Sequence, residues 1–251
     1  MDSKKRFSDR VDAYVKYRPG YPKEALDYLY GTVGLRADSE IADIGAGTGI
    51  FAKLLLERGS RVVAVEPNEA MRAASVESLG SRPNFRAAAG SAEETGLPDR
   101  SVDFIVCAQS FHWFDRTAAR TEFRRILRPG GKAVLIWNSR LTHGTPFREE
   151  YDRLLRTFGT DYTKVHHKNI SKEELRAFFR DGAMREARFE NSQDFDFEGL
   201  KGRLLSSSYI PLPGHPNYEP MISELQRIFD RHHRNGIVRV EYETEIYWGE
   251  V

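Results

Sequence analysis

Three glycines at alternate positions, Gly45, Gly47 and Gly49, follow the apolar run Ile41-Ala42-Asp43-Ile44, in which Asp43 stands two residues before the first of them. Without Cβ atoms, such a loop can turn tightly and let its backbone approach a ligand. A helix starting just beyond it would add free N–H groups and the positive end of a dipole. Glu66 closes the run Arg61-Val62-Val63-Ala64-Val65, seventeen residues past Gly49. An ionised carboxylate is acceptor-only, so at a strand end it can take both hydroxyls of a ribose. This spacing points to a nucleoside-binding crevice.

Other chemistry-bearing residues stand where the same rim should be. His112 and Trp113 follow the apolar run Val102 to Ala108. A histidine there can take a proton at neutral pH, hydrogen-bond a ligand, or simply pack. Trp137, Asn138 and Arg140 end the next apolar run, and Arg140 could attract an anion or remain a solvated charge. Tyr14, Tyr17, Arg18 and Tyr21 form a polar-aromatic stretch near the N-terminus, with Arg18 biased toward extended backbone by Pro19. Tyr209, within Ser206-Ser207-Ser208-Tyr209-Ile210-Pro211, is a candidate pocket residue further on. His166-His167 and His232-His233 have no carboxylate or cysteine at ligand spacing, so no metal is expected. Cys107, the only cysteine, lies in an apolar run and reads as a buried, inert thiol.

The elements that must position these groups alternate. Helix signals cover Pro22 to Tyr30 with Gly31 as a stop, Phe51 to Arg58, Asn68 to Leu79 after an Asn cap, and Asp115 to Leu127. Strand signals cover Glu40 to Ile44, Arg61 to Glu66, Asn84 to Ala89, Val102 to Ala108, and Lys132 to Trp137 after the break Arg128-Pro129-Gly130-Gly131. Such alternation implies a parallel sheet with helices on both faces. After Trp137 the rhythm changes. Helices are expected over Pro146 to Phe158, Ser171 to Arg180 and Tyr218 to Arg234. A kinked strand over Arg185 to Phe197 and a cleanly alternating one over Val238 to Trp248 suit an antiparallel edge.

The 251 residues carry 38 Lys and Arg against 37 Asp and Glu, and this near-zero net charge argues against a nucleic-acid-coating protein. The N-terminus MDSKKRFSDR lacks the apolar core of a signal peptide, and no run approaches the ~18 residues that span a membrane. The sequence therefore reads as a cytoplasmic monomer or homodimer acting on a small molecule.

The loop separates two nucleoside cofactors. A dinucleotide fingerprint, G-x-G-x-x-G, asks for glycine where Ile50 stands, whereas G-x-G-x-G fits S-adenosylmethionine. An NAD(P)-dependent oxidoreductase is thus a distant alternative, and a non-catalytic S-adenosylmethionine-binding protein another. Asp43-Ile44-Gly45-Ala46-Gly47-Thr48-Gly49, Glu66 and Leu127-Arg128-Pro129-Gly130-Gly131 resemble the motif set of the class I methyltransferases. Tyr14 to Pro22 (YVKYRPGYP) and Phe111-His112-Trp113-Phe114-Asp115 resemble, within that class, the type 11 methyltransferase domain and its trans-aconitate methyltransferase-like group. The resemblance covers about residues 7 to 138.

It implies a Rossmann-like, seven-stranded, mostly parallel α/β sheet whose last strand is antiparallel. The expected organisation is an N-terminal lid and helix (1–35), a cofactor-binding core (36–138), cap helices with the sixth strand (139–234) and a final edge strand (235–251). Gly45, Ala46 and Gly47 would border the methionine moiety, Glu66 the ribose, and Pro67 with Met71 the adenine. Ser91 stands where the family has Asp against the adenine amino group, with Ala92 and Glu93 beside it, and Gln109 would face the middle of the cofactor. Tyr17 and Arg18 would meet the cofactor carboxylate in a lid. Tyr14, Tyr21, Trp113, Trp137, Asn138, Arg140 and Tyr209 remain for the acceptor, with His112 as base or positioner. The resemblance leans toward methylation at oxygen, of a carboxylate or hydroxyl, with nitrogen as the alternative.

Overall fold

A computed structural model of the chain describes residues 11–162 and 169–251, the side chains of 11–13 excepted. His166 and His167 lie outside the described residues. β1 (Glu40–Ile44), β2 (Arg61–Val65), β3 (Phe85–Ala88) and β4 (Val102–Ala108) pair in parallel in the order β3-β2-β1-β4. β5 (Leu127–Arg140) adds beside β4, also in parallel. The sequence places its start at Lys132, after Pro129 and two glycines. Leu127 nevertheless pairs with Val102, and a register shift lets Gly130, at φ 78°, carry the irregularity as a bulge.

Alternate residues of these strands face two helical layers. Ala42, Ile44, Ile105, Cys107 and Leu135 pack with Ala119, Phe123 and Ile126 of α5 (Arg116–Ile126) and Leu175 and Phe178 of α7 (Lys172–Phe178). Ile41, Val106, Val134 and Ile136 pack on the other face. There they meet Leu26 of α2 (Lys23–Tyr28) and Leu55 of α3 (Ile50–Glu57). The buried Cys107 is part of the core, as its apolar neighbours foretold. Helix α2 does not stop at Gly31. It runs on as a π-helical turn, Leu29–Val33, because Leu29 and Val33 both extend its buried stripe, and Gly34 at φ 102° ends it. α4 (Glu69–Leu79) begins as expected, with the Asn68 side chain accepting from the Met71 N–H at 3.0 Å.

The expectation of a final edge strand is corrected. β7 (Val238–Gly249) lies between β5 and β6 (Arg185–Phe195), antiparallel to both, and β6 is the edge. The reason is legible in burial. Val238, Val240, Tyr242, Thr244, Ile246 and Trp248 are all covered, whereas β6 carries Arg185, Glu186, Arg188 and Glu190 and runs straight through its pairing without a kink. Charged side chains blunt an open edge.

A third cluster forms a cap. α6 (Pro146–Phe158), α9 (Tyr218–His232) and an unanticipated α8 (Phe197–Leu205) bury Tyr151, Leu155, Leu200, Leu204, Leu225 and Ile228 over the far halves of β6 and β7. α1 (Val11–Tyr17) rests on α8. Among the described residues, no helix is long and apolar enough to cross a membrane.

Candidate active site

The strand C-termini, the cap and α1 enclose one large cavity of about 1380 Å³, counted with its open mouth. Its floor is the glycine loop. Gly45, at φ 69°, donates its N–H to the Val65 carbonyl at 2.8 Å, and a Cβ there would lie 2.6 Å from the Ser110 side chain. Gly47, at φ 57°, faces the open space, with the Met71 and Tyr14 side chains no nearer than 3.8 Å to where a Cβ would stand.

Glu66, 8% exposed, accepts from the N–H groups of Gly47 (2.8 Å) and Asn68 (2.8 Å). Each of its oxygens keeps a further lone pair. Burial raises its pKa, and those two N–H groups and Arg72 pull it back. Asp43 lies behind the loop, fully buried, and does not line the cavity. Neither of its oxygens has a hydrogen-bond partner of good geometry. Burial, with the Glu66 charge second, pushes its pKa up to about 7 against the free N–H of Ala52 at the start of α3.

Pro67, Met71, Ser91, Ala92 and Glu93 continue the wall beyond Glu66. Glu93 also accepts from the Asp115 N–H at 2.9 Å, tying this wall to the cap of α5. Gln109 sits in the left-handed region at φ 62°, which few residues but glycine adopt, and its side chain bonds Tyr21. Ala46 and Tyr21 line a smaller adjoining cavity shared with Arg18, Gln109 and Arg203.

His112 and Trp113 form a short 3₁₀ turn on the rim, their rings 4.7 Å apart. Trp137 does not reach the cavity. Strand alternation turns it into the α5 face at 2% exposure, where its indole N–H donates to His112 Nδ1 at 3.3 Å. Asn138, on the opposite face, touches the cavity but holds the fold: its amide donates to the Gly20 carbonyl and its oxygen accepts from Thr244 and Asn191. Tyr17 is likewise outside the lining, its ring against Gly202 of α8.

The cap end is lined by arginines. Arg140 is no solvated charge: 12% exposed, it donates to Asp152 (2.7 Å) and to the Tyr162 hydroxyl (2.9 Å), and its Nη1 is buried without a partner. Arg18, half-buried, lies 4.7 Å over the Tyr14 ring with an unpartnered Nε. Arg203 escaped the sequence reading altogether. It is 7% exposed and hydrogen-bonds only neutral groups, the Tyr242 hydroxyl at 3.0 Å and the hydroxyls of Ser206 and Ser207. Tyr209 is within electrostatic reach of all three guanidinium groups, and Tyr162 packs 4.9 Å from it. The lining thus combines carboxylates with guanidinium groups.

The histidine pairs turn elsewhere where they are described. His232 meets Glu150 at 3.1 Å, and His233 Nδ1 accepts from the Gly236 N–H.

A methyltransferase-domain family matches residues 42–135, the stretch from β1 into β5 that holds the glycine loop, Glu66 and His112. That stretch of the chain is thus similar to a methyltransferase domain. An uncharacterized methyltransferase of Mycobacterium tuberculosis is 43% identical over 134 residues, 53% of this chain and 52% of that protein. The chain therefore spans about half the length of this and like curated relatives that it matches. An uncharacterized methyltransferase of Schizosaccharomyces pombe is 28% identical over 88% of this chain and 86% of its own. A protein of Anaeromyxobacter dehalogenans, provisionally named a type II methyltransferase, superposes with a TM-score of 0.70 at 25% identity, covering 93% of this chain and 98% of that one. This methyltransferase fold explains why the G-x-G-x-G loop and Glu66 share one crevice at the strand C-termini.

Proposed function

We propose that the chain transfers a methyl group from S-adenosylmethionine to an oxygen of a small organic anion. The observation that carries this reading is one cavity lined both by Glu66 with the glycine loop and by the three arginines Arg18, Arg140 and Arg203. Glu66 has lone pairs left for a ribose diol, Pro67 and Met71 offer apolar faces for an adenine, and Ser91 and Ala92 close that side. Gly45, Ala46 and Gly47 bring bare backbone to the methionine moiety. Arg18, whose Nε lacks a partner, is placed to take the cofactor carboxylate with Tyr14, and Gln109 faces the middle of the molecule.

When bound, S-adenosylmethionine supplies an electrophilic methyl on a positively charged sulfur. The protein's task is to hold an acceptor oxygen in line with that methyl and to keep water away. Arg140 and Arg203 serve the acceptor. Among the described residues the only carboxylate ion-paired to these arginines is Asp152, which Arg156 also engages at 2.7 Å. One cofactor carboxylate leaves positive charge over, and a buried unpaired charge is costly. A second anion on the acceptor removes that cost. A carboxylate acceptor arrives already deprotonated and needs no base.

The test is S-adenosylhomocysteine formation from S-adenosylmethionine across a panel of small carboxylic acids, organic phosphates and their neutral amides and esters. Turnover is expected with members of the anionic set, and Arg203→Lys should raise their KM tenfold or more with cofactor affinity kept. Turnover confined to neutral compounds contradicts the anionic acceptor, and none with any compound leaves only cofactor binding.

A further inference from the structure

The bond between Trp137 and His112 decides which nitrogen of the histidine can do chemistry. An indole N–H can only donate, so His112 Nδ1, 3.3 Å away, must present its lone pair. A neutral imidazole carries one proton, which then sits on Nε2. We propose that His112 serves the site as a neutral hydrogen-bond donor through Nε2–H, held in that tautomer by Trp137, and does not act as a general base. The tautomer is inferred from this bond.

The geometry closes off the alternative. To accept a proton, the ring would have to take it on Nδ1, where it would face the indole N–H, donor against donor. Trp137 cannot turn aside easily. At 2% exposure it is packed between Phe111 and Tyr247, with ring centroids 6.2 Å and 6.0 Å away. Arg18, Arg140 and Arg203 line the same cavity as His112, and so do Glu66 and Glu93, the last accepting from the N–H of Asp115 three residues beyond the histidine. The same device, a histidine kept neutral so that its N–H polarises an oxygen, is known in unrelated enzymes.

The role of the donor rests on the cavity being the methyl-transfer site, where Nε2–H would meet an oxygen of the acceptor and orient it. Trp137 is then a positioning residue acting through His112. This explains why an indole is aimed from the core at a rim histidine while itself staying out of the cavity.

The experiment is a long-range proton–nitrogen correlation spectrum of ¹⁵N-histidine-labelled protein from pH 8 to pH 5. The His112 signal is assigned by its loss in His112→Gln. The expected result is an Nε2–H tautomer that stays neutral to pH 5.5, with a titration that moves up by a unit or more in Trp137→Phe. An Nδ1–H tautomer, or an imidazolium already formed at pH 7, overturns the proposal. Should Trp137→Phe fail to fold, the wild-type spectrum still decides. The readout needs neither cofactor nor acceptor, so its failure is distinguishable from failure of the methyl-transfer reading.

Discussion

Asp43 is the residue whose surroundings least suit its charge. The ordinary value for its carboxyl is 3.8, and in the folded chain burial and then Glu66 carry it to about 7. Folding therefore binds the proton more tightly than the unfolded chain does. The cost of ionising Asp43 is absent below about pH 4, grows up to about pH 7 and is constant beyond. Asp43→Asn should accordingly raise the Tm of the free protein by several degrees at pH 8, with the gap closing near pH 4. A gap of the same size at both pH values would show that the carboxylate is not strained. The raised value also places a half-formed negative charge behind the loop, beneath the part of the site expected to take the cofactor's cationic groups. At this scale part of the lining was legible: Glu66, Met71, Ser91 and Gln109, which the resemblance named, all line the cavity. Arg203 was not, because its function depends on a tertiary neighbourhood of tyrosines and serines that no local pattern announces.

Helix α8 shows why the cap resisted reading. Gly199 and Gly202 lower its helix propensity, and only the capping Asp196, accepting from Gly199 N–H at 2.7 Å, marks its start. Gly202 is there for α1: any Cβ would collide with the Tyr17 ring. Gly202→Ala should thus lift α1 and shift Arg18, weakening S-adenosylhomocysteine binding about tenfold, while the double variant with Tyr17→Ala should recover most of the loss. Overpacking of this kind costs ~1–3 kcal/mol, so unchanged affinity in calorimetry would mean that α1 is not part of the site. Strand order misled for a related reason. Clean alternation made Val238 to Trp248 look like an edge, yet covered side chains on one face and half-covered ones on the other also describe a strand paired on both sides. The charged face of β6 was the better edge signal.

At the scale of the molecule, a parallel sheet supplies the crevice and a late antiparallel pair carries the cap across its mouth. Periodicity made the first part plain, since buried parallel strands read as continuous apolar runs between helices. The cap's contribution, guanidinium groups in the cavity that also holds Glu66, arises only when α8 and β5 meet around it. The reading as a methyltransferase depends on that cavity taking S-adenosylmethionine rather than a nicotinamide dinucleotide. Calorimetric titration of the purified chain with S-adenosylhomocysteine and with NADH tests this most directly. Micromolar binding of S-adenosylhomocysteine is expected, weakened about tenfold or more in Glu66→Ala as charge-assisted bonds worth ~1.5–3 kcal/mol are lost, with no heat from NADH. Binding of NADH with none of S-adenosylhomocysteine, or an affinity indifferent to Glu66, would contradict it.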